Sequence, residues 1–493
     1  MNAELDSTSS PNGPDGLGRV SKTNATVQLK VVDSIVAQHG QYFFVEPSGA
    51  TTINQITVAA KFAVDLGIYY DRDGACFRQY QEAHGYFARI EADEVKWKLA
   101  EFLMELVIDC GVEDFLRKRT NALLNSLLRL VRGYAGHVDP DFATRSLFHV
   151  GNGMLAITGD GASLLPFDAR YRSTMFCPVR YIAGAACPRF LNDLLAPAVV
   201  PEDIDLLQRW LGSLLIGKND AQRFMVMYGA ALTGKSTVVD IAEQIIRHDR
   251  VATLRTQHLS SSRFETHAFL NKTLLTAKDV QSDFLSTNGA SMIKALTGND
   301  VFDVEQKGGG KPKLRGNLSV VVTGNARPQL RFDDDLSAWR RRLLVIGFER
   351  KAPPQRIPNF AQQLLSEEGE GILAWMVDGA VKHLKELDDT GDYLQTASQK
   401  ERIESLLNES RSGEYFVTNC IAFAVKSDVS VEEIRQAYFD YCEGCGWNPL
   451  TPRQLENVLG DLMLTIHSSP KRTDIRRGGT YVRGFKNVAL ITK

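Results

Sequence analysis

The segment Arg223–Ile246 constrains the fold more than any other stretch of this chain. An apolar, strand-like piece, Phe224-Met-Val-Met-Tyr-Gly229, runs through a small-residue loop, Ala230-Ala-Leu-Thr-Gly234, into a helix-forming run that starts at Lys235. Gly229 to Ser236 spells G-x-x-x-x-G-K-[ST]. Glycines let main-chain N–H groups wrap an anion without a Cβ in the way, and the following helix presents its positive N-terminal end. Further apolar strand candidates at 273–277, 318–323 and 343–348 alternate with helical pieces, so the expectation is a parallel α/β sheet.

The anion that suits this loop is the phosphate tail of ATP with Mg²⁺. Gly229, Ala230, Ala231, Leu232, Thr233, Gly234, Lys235, Ser236 and Thr237 are the expected cradle; Lys235 would neutralise the β- and γ-phosphates and Ser236 would ligate the metal. A second metal-side group should come from a carboxylate ending a neighbouring apolar strand. Leu274-Leu-Thr-Ala-Lys-Asp279 supplies one, which makes Asp279 the second expected Mg²⁺ ligand. Val280 follows it, so no second acid is adjacent; Asp283 is a further candidate for polarising water. Asn325 closes the apolar run Val320-Val-Val-Thr-Gly and either orients that water or simply forms a turn. Arg341 and Arg342, in W-R-R-R-L-L-V-I-G-F, either reach into a neighbouring subunit's site to stabilise developing charge or form a solvated basic run.

A chain of 493 residues is too long for one ordinary core and points to three or so domains. A formal net charge of -2 means that any nucleic-acid contact must come from local basic patches. Seven dispersed cysteines argue for a reducing compartment rather than a disulfide framework. Cys442-Glu-Gly-Cys445 has no partner pair at zinc spacing and reads as helix-end packing. The first residues show no secretory pattern, and no stretch of about 18 apolar residues exists, so the expected location is cytoplasmic with no membrane partner.

Along the chain, residues 1–28 are rich in Ser, Asn, Gly and Pro and read as a disordered tail. Residues 29–200 read as an N-terminal α+β domain, with strand-like QYFFVE, GIYYD and GYFARI and a helical stretch over 94–130. The core spans 201–358 and a helical segment 359–412. In the last module, 413–493, helix-like VEEIRQAYFDYCEGCG and PRQLENVLGDLM precede strand-like GTYVRGF and NVALIT, the order of a winged helix.

The residues together resemble the superfamily 3 helicase domain, and more narrowly the C-terminal half of phage- and plasmid-encoded primase–helicases and the related poxvirus-type ATPases. Beyond the loop at Lys235, Gly151-Asn152-Gly153, Cys187-Pro-Arg-Phe-Leu191, Leu207-Gln-Arg-Trp-Leu-Gly212, Ile293-Lys-Ala-Leu-Thr-Gly-Asn-Asp300 and Gly371-Ile-Leu-Ala-Trp375 are similar to family segments, over roughly residues 60 to 480. The family's second strand usually ends in Glu where this chain has Asp279. No two-carboxylate polymerase motif precedes the shared region, so the expectation is a helicase without primase.

The resemblance implies an AAA+-type P-loop ATPase core closing a homohexamer, with ATP between subunits and single-stranded DNA in the ring, served by a separate primase or initiator of a phage, plasmid or other mobile element. It also implies a DNA-tracking hairpin, matched best by Val304–Arg315, where Lys307, Lys311, Lys313 and Arg315 surround three glycines. Residues 451–493 carry eight Lys/Arg against three Asp/Glu, and Lys471, Arg472, Arg476 and Arg477 make a basic wing suited to duplex DNA, or else a protein-docking surface. Two other classes fit part of the pattern: a DNA-binding ATPase switch that assembles without unwinding, and a P-loop kinase, which needs an acceptor site and no bridging arginine.

Overall fold

A computed structural model of the chain describes residues 35–72, 74–134, 147–171, 173–256, 265–286, 289–304, 313–330, 336–349, 357–467 and 472–491. The tail over 1–28 and the expected DNA contacts Lys307, Lys311 and Lys471 lie outside the described residues. Two units divide the chain, Met1–Pro140 and Asp141–Lys493.

The first unit is α+β. A hairpin of β1 (Phe43–Val45) and β2 (Thr51–Ile53) precedes helix α1 (Gln55–Asp65), which Asn54 caps through its side chain to the Thr57 N–H at 3.4 Å. Strands β3 (Ile68–Asp71), β4 (Cys76–Gln81) and β5 (Tyr86–Ile90) form an antiparallel meander. Helix α2 (Ala92–Asp109) turns Val95, Leu99, Leu103 and Leu106 inward, at helical spacing, and α3 (Asn121–Tyr134) adds Leu127 and Val131 to the same core.

In the second unit, β6 (Leu147–Val150), β7 (Gly153–Thr158) and β8 (Gly161–Leu165) form a small antiparallel sheet. These strands share a core with the later chain, through Phe148, Val150, Leu155 and Ile157. Helix α4 (Pro201–Ile216) leads to the parallel sheet, built from β9 (Phe224–Gly229), β10 (Val251–Thr253) and β11 (Leu274–Ala277), with α5 (Lys235–Ile246) joining β9 to β10. Helix α6 (Gly289–Thr297) and the antiparallel pair β12 (Val301–Asp303) and β13 (Lys313–Arg315) precede β14 (Ser319–Gly324). Short α7 (Leu336–Arg340) precedes β15 (Leu343–Phe348).

The five strands run parallel in the order β10-β11-β14-β9-β15. Both faces are covered, which is why the strands read as unbroken apolar runs. Met225 and Met227 of β9 enter one core with α5, whereas Phe224 and Val226 enter a second core with Trp339 and Leu296. Helix α8 (Phe360–Thr390) packs across α4 at glycine distance: a Cβ on Gly212 would lie 2.1 Å from Ala380 N, and one on Gly379 would lie 2.1 Å from Gln208 O.

The chain ends in α9 (Ala397–Ser410), α10 (Ser412–Cys420), β16 (Ile421–Ser430), α11 (Val431–Cys445), α12 (Pro452–His467), β17 (Arg472–Arg477) and β18 (Thr480–Leu490). Its antiparallel sheet has the order β16-β18-β17 over a core containing Phe416, Ile434, Tyr438, Leu459 and Phe485. Ser430 and Glu433 form a reciprocal cap at the start of α11. Among the described residues no helix is long and apolar enough to cross a membrane.

Candidate functional site

The bend between β9 and α5 holds the candidate site. Gly229 has φ 146 and Gly234 has φ 94, conformations that exclude most L-residues. Space forbids a side chain at Gly229 as well, where a Cβ would lie 2.1 Å from Phe348 O; one on Gly234 would lie 2.5 Å from Leu194 Cδ1, the end of a side chain. The crest, Ala230, Ala231 and Leu232, is exposed, with Leu232 at φ 64. Thr233 is tucked inward and its hydroxyl donates to Ala230 O at 2.9 Å. Gly234 stands at the N-cap of α5, so Lys235, Ser236 and Thr237 form its first turn, where main-chain N–H groups lack helical acceptors.

Lys235 is 4 % exposed. Its Nζ donates to Gly229 O at 2.8 Å, Ala230 O at 2.7 Å and Thr233 Oγ1 at 3.3 Å, which strings the ammonium across the mouth of the bend. Burial lowers its pKa and the nearby charge of Asp279 opposes that shift. An anion at this mouth would meet a desolvated ammonium and the free N–H groups of one helix start together.

The neighbouring strand ends bring two more expected residues to the same edge of the sheet. Because β11, β14 and β9 are adjacent and parallel, Asp279 and Asn325 emerge beside the bend. Asp279 is exposed, adopts φ 53, and its N–H is held by Thr323 Oγ1 at 3.3 Å. Before it, Lys278 bonds Asp240 at 2.5 Å and Glu243 at 2.8 Å, tying the end of β11 to α5. Asn325 follows Gly324 directly and is exposed, as is Asp283.

Sequence reasoning missed Arg327, Glu349 and Leu194. Arg327 lies two residues past Asn325 and reaches α9 through Ser405 at 2.8 Å and Glu409 at 3.3 Å. Glu349, just beyond β15, accepts from Tyr228 OH at 2.7 Å. Leu194 belongs to the turn Phe190–Leu195, whose start is capped by Glu368 accepting from Arg189 N and Phe190 N, both at 2.9 Å. Phe190 in turn packs edge-to-face on Trp375 at 5.2 Å, and Gln208 donates to Trp375 O at 3.0 Å. Three segments singled out in the sequence, 187–191, 207–212 and 371–375, therefore form one scaffold beneath the bend rather than part of its mouth.

The two arginines fall elsewhere. Both precede β15, at the sheet edge opposite Lys235, where Phe224 N bonds Arg342 O at 2.8 Å. Arg342 is 7 % exposed and donates to Ala338 O at 3.2 Å. Its side chain turns toward the interior of its own chain. Arg341 is exposed. At that edge Lys313 and Arg315 are exposed on alternate residues of β13, and Arg315 donates to Asn299 Oδ1 at 3.3 Å. In the C-terminal hairpin, Arg477 pairs with Asp428 at 2.5 Å and Glu433 at 3.2 Å and holds the Glu433 carboxyl down to about 2; Arg472 pairs with Glu456 at 3.2 Å. Arg476 is exposed.

Fold and site thus define a mixed α/β protein with a glycine-bent strand–loop–helix at the C-terminal edge of a five-stranded parallel sheet. Residues 227–342, less than half of the chain, match the family described as "Family of unknown function (DUF5906)". A curated relative, ORC1-type DNA replication protein 11 of Haloarcula marismortui, is 42 % identical over 57 residues, 11 % of this chain. The match reaches only 14 % of that relative's length. Among solved structures, the A form apo structure of the NrS-1 C terminal region is similar at 14 % identity and TM-score 0.44, covering 87 % of this chain and 98 % of that one. A second apo structure of that region, residues 305–718, gives 13 % identity and the same TM-score of 0.44 over the same shares.

Proposed function

We propose that this protein is an ATP-dependent DNA helicase of a phage, plasmid or other mobile replication system, hydrolysing ATP between the subunits of a homohexamer and translocating on single-stranded DNA. The observation that carries the reading is the convergence of Lys235, Asp279 and Asn325 at three adjacent parallel strand ends around one glycine bend. In this reading the sheet is an AAA+-type P-loop core. The loop amides and Lys235 hold the triphosphate, Ser236 and Asp279 hold Mg²⁺, and Asn325 orients the attacking water. The exposed Arg341 is the cross-subunit guanidinium, and Lys313 and Arg315 open the DNA-tracking hairpin. The order of the last elements, helix, strand, two helices, then a two-stranded hairpin, supports a winged helix. The replication context draws on the short likeness to the ORC1-type protein.

Replacement of Lys235 by Ala removes a charge aimed at the phosphates, so ATP turnover should fall by at least roughly 10²-fold. Turnover within a few-fold of the parent would sink the site. The pair Lys313→Ala and Arg315→Ala should abolish strand displacement on a forked substrate. A DNA-binding ATPase switch is the second reading, favoured by Arg342 being held inside its own chain. It predicts nucleotide-dependent DNA binding with no displaced strand, which the same forked substrate reads directly.

A further inference from the structure

A cavity of about 400 Å³ opens at the edge of the parallel sheet opposite the glycine bend, under the N-terminal ends of β11 and β14. Its walls hold Lys218, Arg250, Lys272, Lys313 and Arg315, and its described lining residues include no Asp or Glu. Separate parts of the chain bring these cations together. Lys218 follows the left-handed Gly217 that ends α4. Arg250 precedes β10 and Lys272 precedes β11, whereas Lys313 and Arg315 share one face of β13.

Two of these cations, Lys272 and Arg250, are oriented by neutral acceptors. Lys272 Nζ donates to Asp249 O at 2.8 Å. Arg250 donates to Thr174 Oγ1 at 2.8 Å and Asn271 O at 3.3 Å. Bonds of this kind fix the direction in which each side chain points. Carboxylates stand outside the wall: the charge of Asp249 is felt at Lys272, and Asp220 accepts from Asn317 Nδ2 at 3.3 Å. A concave surface with one sign of charge concentrates field and attracts a polyanion.

We propose that this cavity binds the phosphodiester backbone of single-stranded nucleic acid, with Lys218, Arg250 and Lys272 extending the path that Lys313 and Arg315 begin. A polymer is favoured over a free nucleotide because one wall of the cavity is β13 itself, so that Lys313 and Arg315 carry the lining cations outward from the cavity, with Asp303 of β12 opposite Lys313 as the acidic residue on that face. Val301, 52 % exposed on the paired strand, adds an apolar contact at the rim without reading sequence. The site is separate from the triphosphate site, since the whole length of β11 lies between Lys272 and Asp279.

The proposal rests on the DNA-binding reading above, and the test separates the two. The full chain and its Lys218→Gln/Lys272→Gln variant are titrated with labelled oligo(dT) by fluorescence anisotropy over a range of salt, with thermal melting as the check of folding. Loss of two phosphate contacts should weaken binding about tenfold at low salt and reduce the log–log salt slope by roughly 1.4. A parent chain that binds no oligonucleotide overturns the DNA-binding reading and the cavity assignment with it. A parent that binds and a variant with the same affinity and slope overturn the cavity assignment alone. Displacement of the oligonucleotide by inorganic phosphate at equal phosphate concentration assigns the cavity to small anions and overturns the polymer. Photocrosslinking of bromodeoxyuridine oligonucleotide to the unaltered chain should label peptides containing Lys218 or Lys272; crosslinks confined to other peptides count against the path.

Discussion

At the residue scale the glycine bend separates two kinds of crowding that look alike in the sequence. Gly229 faces a main-chain carbonyl, Phe348 O, which cannot move without breaking the β9–β15 ladder. Gly234 faces Leu194 Cδ1, the far end of a side chain that can turn away. Gly229→Ala should therefore destabilise the second unit by roughly 3 kcal/mol or more. Gly234→Ala should cost only about 1–2 kcal/mol, mostly the left-handed backbone, and part of that cost should return when Leu194→Ala is added. Urea denaturation followed by tryptophan fluorescence reads the order; equal losses at the two glycines would refute the distinction. The positions of Lys235, Asp279 and Asn325 were legible because each comes soon after an apolar strand run. Leu194, Glu349 and Arg327 were not, because they join the site only through packing between segments distant in sequence. The burial of Arg342 was hidden for a related reason: sequence shows a basic run but not which guanidinium turns inward.

At the scale of elements, strands β9, β11, β14 and β15 were readable because burial on both faces makes each a continuous apolar run. Strands β10, β12 and β13 are three residues long and carry no periodic signal. Strand β16 is hidden by a register shift between Phe423 and Asp428 and by exposed Phe423 and Val425, which break its alternation. Strands β6–β8 look, in local pattern, like the small strands before them; their long-range partners in α4 and α8 are invisible locally. The α4–α8 crossing is an example of what such partners demand. Gly212 and Gly379 let two helix backbones meet, and each glycine's missing Cβ would fall on the other helix's main chain. Gly212→Ala should therefore lower stability by about 3 kcal/mol, the upper end for overpacking, since no side chain can yield. Thermal melting should show a drop of several degrees, whereas Gly391→Ala, whose Cβ meets nothing within 4 Å, should show only the smaller effect of its left-handed φ of 74.

For the whole molecule, acid titration tests whether the packing around α8 is as dry as its contacts indicate. His383 is 4 % exposed and stacks on Tyr393 with ring centroids 4.3 Å apart. Burial first, and then the Arg209 charge from α4, push its pKa from 6.5 down to about 4, against smaller opposing pulls from Asp220 and Asp392. The folded chain thus holds a neutral imidazole that the unfolded chain would protonate near pH 6.5. That contribution is complete above pH 6.5 and is lost as pH falls toward 4, for a total of about 3 kcal/mol at 1.36 kcal/mol per unit. Glu433 acts in a different window. Arg477 holds it near 2, so its contribution is present above about pH 4.5 and fades only below that. Of these two groups, His383 and not Glu433 loses its contribution between pH 6.5 and 4.5. In His383→Gln the melting temperature should fall less steeply across that interval than in the parent, while the fall below pH 4.5 persists. If the variant keeps the parent's slope from 6.5 to 4.5, the imidazole is already solvated in the folded chain and the dry α4–α8 contact is wrong.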